Sequence, residues 1–393
     1  MNRALIITIG IVIIILVLAV WVYLMLFGTP KGTGEVFTNL GFELSSQGTT
    51  IQTPEPDNIL PDVIVDTQTA ALRQLTTRPV AGFTFASTTF GQTVRYVERG
   101  TGHIYEINLD TGIETPLSRT TVPKVSEAVF SPGGETIALT SYNQYTPEVF
   151  VGTLAGDINI TGIALQPGAD NIVFETDTEI RYSLNNNGTT KGFSHDIETL
   201  VQRELFSFNY INLDVSWGSD LDEIYLSTKP AHNHEGFIYT IANNILTPAT
   251  FSANGLSALI TNNYIVTTYN SDGRYASGVV DTRGEFKTLP LLALKEKCVS
   301  TPPNNGLVWC AAPLETDSPT FVEDWYKGIR TSADHFWLLD VQSQTARLEA
   351  SPVDLVGRTI DVSDISINPE GQLLTFTNKI DHTLWLYDTT DSQ

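Results

Sequence analysis

Histidines, carboxylates and cysteines are the side chains in this chain whose spacing could do chemistry. His232-Asn233-His234-Glu235 sets two imidazoles at alternate positions, with a carboxylate beside them. In a loop that spacing can turn His232 and His234 toward one metal ion, with Glu235 as a third ligand. The competing reading is a solvated polar loop. Asp177-Thr178-Glu179, Asp361 with Asp364, and the run from Ser219 to Glu223 are acidic enough to hold calcium weakly. They lack the spacing of a defined calcium loop, and turn chemistry accounts for them. The only cysteines, Cys298 and Cys310, have no histidine near in sequence and make no zinc site. G-x-S-x-G, H-E-x-x-H and P-loop motifs are absent, so nucleophilic catalysis has no foothold. Carboxylates are plentiful enough for a glycosidase-type pair. Which of them converge is a question for the elements that carry them.

The 393 residues hold 22 Lys+Arg against 44 Asp+Glu, a formal net charge of −22. A chain this acidic repels a phosphate backbone and offers no basic patch to lipid headgroups, which excludes nucleic acid as a partner. Hydrophobic residues make up 41 %, enough for packed cores. Charged residues are only 17 %; Thr, Asn and Ser carry much of the polarity, as suits strands and turns.

Residues 4–27, Ala4 to Phe27, contain no charged side chain. A helix of that length spans about 36 Å, enough for a hydrocarbon core of about 30 Å with some tilt. Trp21 and Tyr23 fall near one end, where amphipathic rings favour the interface. A cleaved signal peptide would have a shorter apolar run and a small-residue cleavage site, and Leu24-Met25-Leu26-Phe27 is a poor one. The expectation is a retained single-pass anchor. Arg3 and the α-amino group place the N-terminus in the cytoplasm and the acidic remainder outside it. Residues 28–69 hold Pro30, Pro54, Pro56 and Pro61 without sustained periodicity and read as a flexible linker with a reach of about 36 Å. A partly ordered arm is the alternative.

From residue 70 to 390 the chain is short alternating runs between turn signals. The clearest unit is Glu127-Ala-Val-Phe-Ser-Pro-Gly-Gly-Glu-Thr-Ile-Ala-Leu-Thr140, and Asp364-Ile-Ser-Ile-Asn-Pro-Glu-Gly-Gln-Leu-Leu-Thr-Phe-Thr377 matches its spacing. Pro132 and Pro369 preset the turn, and Gly134 and Gly371 accept positive φ. This core resembles the repeat of TolB-like, WD-repeat-like β-propellers. The resemblance implies a blade and no particular activity. Candidate first strands at 81–85, 127–131, 162–166, 214–218, 255–259, 296–300 and 364–368 recur about every 47 residues, as in four-stranded blades. The fold expected is all-β, a seven-bladed propeller after one transmembrane helix and a linker. The last copy supplies only three strands. Residues 71–76, Ala-Leu-Arg-Gln-Leu-Thr, can add the fourth and remove an open edge. Such a ring needs no cofactor for stability.

In the same alignment Cys298 and Cys310 fall opposite Ala128 and Leu139, cross-strand neighbours, so a disulfide is sterically accessible in an oxidising exterior. Two buried free thiols are the other outcome. Loops between second and third strands lengthen at 229–235, 270–275 and 313–333. The last carries Phe321, Trp325, Tyr326 and Arg330, residue types enriched at binding hot spots. They are the expected contact with a protein or cell-envelope polymer, against the alternative that they pin the insertion to its own blade. The function expected is a membrane-tethered, extracytoplasmic, non-enzymatic binding module. A carbohydrate-active or lactone-hydrolysing enzyme with its site at the central channel is the alternative, and it requires carboxylates or histidines converging there.

Overall fold

The computed structural model describes residues 70–390 apart from 89–90, 155–159, 187, 211–212, 219–222, 243, 262, 304 and 317. The expected anchor (4–27), the linker (28–69) and the acidic residues 219–222 lie outside the described residues. Among the described residues no helix is long and apolar enough to cross a membrane.

Runs rich in β-branched and aromatic residues, separated by Gly, Pro and Asn turns, become strands. Among the described residues they form seven four-stranded antiparallel sheets. The first strands of the sheets are Val80–Thr88, Val125–Phe130, Ala169–Phe174, Asp214–Trp217, Ser257–Ile260, Cys298–Ser300 and Val362–Ile367. First strands of successive sheets approach one another, which puts them innermost, around an axis. Gly82 is required by that approach: a Cβ there would lie 1.9 Å from the carbonyl oxygen of Ala128 on the next first strand. The architecture is a seven-bladed β-propeller.

The ring closes as the sequence implies. Leu72–Gln74 is the outer strand of the last blade, with Leu72 opposite Tyr387 and Gln74 opposite Trp385. The Leu75 N–H donates to the Leu384 carbonyl at 2.7 Å, and the Leu384 N–H donates to Thr76 Oγ1 at 3.0 Å. Residues from both ends of the described chain therefore complete one sheet and leave no unpaired edge between first and last blades.

The repeated turn works through one side chain. Ser131 Oγ accepts the Thr136 N–H at 3.0 Å, and in the last blade Asn368 Oδ1 accepts the Gln372 and Leu373 N–H groups at 2.8 and 2.9 Å. Gly134 adopts φ +71°, a left-handed value that costs a residue without Cβ nothing.

Second strands read as apolar runs rather than strict alternations because each blade is covered on both faces. Ile137, Ala138 and Leu139 are all buried in succession. Each blade interface has its own apolar cluster, so the core is divided among the interfaces. Between the sixth and seventh blades Phe336 stacks on Tyr387 at 4.7 Å, with Trp309 edge-on to Tyr387 at 6.1 Å.

Two expectations are corrected. The run 162–166 is not an inner strand: Thr161–Ala164 is the outer strand of the second blade, with Phe150 opposite Ala164. The Pro167-Gly168 turn, with Gly168 at φ +90°, then returns the chain to the axis, where Ala169–Phe174 begins the third blade. Outer and inner strands of four residues have the same local pattern, so the phase of the repeat slipped by one strand. The segment 270–275 is also no long loop, since Ser271 pairs with Arg274 across a tight hairpin turn. Cys298 pairs with Cys310 in the ladder, and their sulfurs are bonded at 2.12 Å.

Candidate functional site

Antiparallel order decides which ends of the strands share a face. In every blade the first strand begins, the second ends, the third begins and the fourth ends on one side. Connections between blades and loops between second and third strands therefore gather on that face. The first side chains of the inner strands line the mouth of its axial channel.

At five of the seven inner strands they include a carboxylate. Glu127, Asp170, Asp214 and Asp364 each lie within the first three residues of an inner strand, and Glu296 lies just before another. Bulges displace three of them: the register shifts between Val125 and Glu127, between Asp170 and Val173, and between Ser363 and Ser366. A bulge re-aims side chains and is common at barrel rims and sites. Asp364 is itself left-handed at φ +53°, a conformation that Asp tolerates better than most residues, and accepts a hydrogen bond from Thr377 Oγ1 at 2.9 Å.

Glu127 is the least compensated member. Water reaches it through the mouth, yet protein surrounds it on most sides. That burial raises its carboxyl above the ordinary glutamate value, and the charges of Asp170 and Asp364 push the same way. Among the described residues no cation pairs with it and no donor bonds it. Tyr142, near the end of the second strand of the same blade, has its hydroxyl raised by partial burial and by the charges of Glu127 and Asp170.

The opposite side of the mouth is neutralised. Lys295 Nζ pairs with Asp214 at 2.5 Å and approaches Glu296 at 3.9 Å. Burial opposes the charge of Lys295, but these two carboxylates hold its ammonium above the ordinary lysine value. Burial raises the Glu296 carboxyl, which accepts a hydrogen bond from the Tyr326 hydroxyl at 2.9 Å. The mouth is thus asymmetric: paired charges come from the fourth and sixth blades, and, among the described residues, carboxylates without an ion pair come from the second, third and seventh.

The blade-six insertion folds over the paired side. Residues Phe321–Tyr326 form a short helix. Phe321, Val322 and Trp325 bury themselves against Tyr275, Leu292 and Leu294. Trp325 is 2 % exposed, and its Nε1 donates to Asp361 Oδ1 at 2.8 Å. Lys379 lies 3.3 Å from the centre of its ring. The expectation that Phe321 and Trp325 present themselves to a partner is corrected here, while Tyr326 is half-buried. Large apolar rings on a loop this long gain more by covering the junction of the fifth to seventh blades than by facing water. Arg330 stays partly exposed, with its guanidinium 6.0 Å from the Phe321 ring. Leu314 and Ile329 are exposed apolar residues of the insertion, at 63 % and 72 %.

The histidine cluster is also corrected. His232 gives its backbone N–H to Glu323 Oε1 at 2.9 Å and sets Nδ1 2.5 Å from Glu323 Oε2. His234 Nδ1 meets Asn233 Oδ1 at 2.6 Å, and Glu235 accepts from Ser252 Oγ at 2.6 Å. The three groups serve three different partners, because Glu235–Gly236 is drawn into a small ladder with Ala253–Asn254. Among the described residues no three His, Cys, Asp or Glu side chains are placed to hold one metal ion. Asp177 instead caps the Gly133 N–H at 2.9 Å.

No protein-family model and no curated protein matches the chain. Solved structures match its fold. An oligogalacturonate lyase from Vibrio parahaemolyticus is 11 % identical, covering 81 % of this chain and 93 % of its own, with a TM-score of 0.55. The β-propeller domain of the Trilobed protease from Pyrococcus furiosus is 11 % identical, covering 79 % and 96 %, with a TM-score of 0.51. TolB from Acinetobacter baumannii is 15 % identical over 66 % of this chain and 63 % of its own, at 0.43. At such identities the likeness is one of fold.

Proposed function

We propose that this protein is a membrane-tethered, extracytoplasmic propeller that binds a cationic protein segment or cell-envelope polymer at its channel mouth. The observation that carries the reading is the group of carboxylates Glu127, Asp170 and Asp364 at the axis, of which Glu127 has neither an ion-pair partner nor a hydrogen-bond donor among the described residues. Exposed apolar side chains stand on the same face: Tyr142 and Tyr145 in the second blade, Ile329 in the sixth, Val353 and Leu355 before the seventh, and Ile380 within it. An acidic centre with an apolar rim suits a partner carrying Lys or Arg beside apolar groups, drawn in by a field of that sign. The uncharged segment 4–27 and the Pro-containing 28–69 support tethering to the membrane and display outside it.

The test uses a fluorescent oligolysine peptide and its anisotropy. Binding should weaken steeply with salt, and the E127Q/D170N/D364N variant should lose at least about tenfold in affinity, about 1.4 kcal/mol. Equal binding by that variant overturns the site.

A second reading is favoured by one observation. Glu127, raised by burial beside two further carboxylates, has the character of a general acid facing a base. A carbohydrate-active enzyme would use that pair at the channel, and the oligogalacturonate lyase shares the fold. Release of sugar ends from a polysaccharide, abolished by E127Q, would favour this reading over binding alone.

A further inference from the structure

Behind the insertion lies a polar cluster that neither reading uses. Lys297, 0 % exposed, immediately precedes the inner strand of the sixth blade. Its Nζ contacts Asp334 Oδ2, Asp361 Oδ1 at 2.6 Å and Ser332 Oγ at 2.8 Å. Both carboxylates are fully buried, and the Trp325 ring closes the site with its centre 4.7 Å from Nζ. The three charged groups are brought together from 297, 334 and 361 by the entry to the sixth blade, the far end of the insertion and the entry to the seventh blade.

The two carboxylates are held differently. Asp334 Oδ2 also accepts the Val362 N–H at 2.8 Å, and Asp334 Oδ1 lies 2.6 Å from Ser332 Oγ. One oxygen therefore sits on a backbone donor, as a carbonyl oxygen would, and the other beside a hydroxyl. Asp361 takes the Trp325 Nε1–H on Oδ1 and the Ser332 N–H on Oδ2 at 3.1 Å. In water an ammonium and a carboxylate do not condense. In a site without water the charged forms lose their solvation, and neutral amine and neutral acid become the competing forms. Burial pushes the Asp334 carboxyl upward, toward its protonated form. Fixed contact replaces the improbable encounter of the two groups.

We propose that Lys297 and Asp334 condense into an intramolecular amide, with Asp361 as the proton acceptor. Asp361 takes one proton from the Lys297 ammonium, and the freed electron pair attacks Cγ of the protonated Asp334. The C–N bond forms, with the developing negative charge on the oxygen that faces the Val362 N–H. A second amine proton passes to the hydroxyl of Asp334, beside Ser332. The C–O bond breaks and water leaves. The amide and the protonated Asp361 that remain are both neutral, and no atom is oxidised or reduced. The bond ties the start of the sixth inner strand to the far end of the insertion, beside the Cys298–Cys310 disulfide.

Intact-mass spectrometry of the full chain tests this. The expected mass is below that of the sequence by one water, beyond the two hydrogens removed by the disulfide. A proteolytic digest should yield one branched peptide joining Lys297 to Asp334. K297R keeps the cation, cannot form this amide and supplies the unlinked reference mass. D361N, checked for folding by circular dichroism, should accumulate the bond at least tenfold more slowly. A folded native chain without the water loss, or a branch to Asp361, overturns the proposal. Linkage at the native rate in D361N removes Asp361 from it.

Discussion

Trp325 decides whether the blade-six insertion is held by its aromatics or offers them. Replacing it with Ala empties a buried site, and truncation of a buried Phe or Trp costs about 3–5 kcal/mol. The ring covers Lys297 and Lys379 and gives Nε1–H to Asp361 at 2.8 Å. Trp325→Phe retains most of the ring but withdraws one donor from a buried carboxylate, a loss of about 1.5–3 kcal/mol. Stability should therefore fall in the order native, W325F, W325A. Urea unfolding followed by circular dichroism gives the free energies, and hydrogen exchange over 313–334 locates the loss. A residue that only touches a partner would change stability within about 0.5 kcal/mol. If W325A unfolds within about 1 kcal/mol of the native chain, below the cavity cost, the burial argument is wrong and the contact reading returns.

Two further substitutions probe the ring and its mouth. Leu72, 1 % exposed on the closing strand, packs among Phe336, Phe376 and Tyr387, so L72A should cost about 2–5 kcal/mol and promote association through the loosened edge; an unchanged melting temperature and a monodisperse scattering profile would refute closure by this strand. The Glu127 carboxyl is raised on folding, so the folded state binds its proton more tightly and stability falls as pH climbs from the ordinary glutamate value through the raised one. E127Q lacks that slope: it should be more stable than the native chain at neutral pH, with the gap closing as pH falls through the raised value to the ordinary one, and a gap that stays constant from neutral to acid pH in paired thermal melts would count against the raised carboxyl.

Much of the fold was legible because it is written locally. Ser131-Pro132-Gly133-Gly134 and Asn368-Pro369-Glu370-Gly371 specify turns through their own side chains and φ values, whatever surrounds them. A last blade one strand short, with residues 71–76 unclaimed upstream, implied closure by count alone. The facing of Cys298 and Cys310 followed from aligning one hairpin with another. Legibility failed where two segments share a pattern. Thr161–Ala164 and an inner strand look alike in sequence, and only pairing with Thr146–Thr153 assigns the segment to the second blade.

Function depended on distances that no local pattern encodes. Glu127, Asp170 and Asp364 belong to three blades, and their convergence follows from ring closure and strand bulges. Lys297 meets Asp361 across 64 residues of chain, and neither carries a motif that names the other. The aromatics of residues 321–326 show by type that they bind something; whether that is a partner or the protein's own interior depends on the apolar surface within reach. The sequence by itself determined the repeat, its turns and its latch, because strand and turn preferences act between near neighbours. The tertiary structure alone decided which charges lie bare at the mouth and which are buried together, because electrostatic and solvation energies depend on neighbours in space, and the ring supplies those from distant parts of the chain.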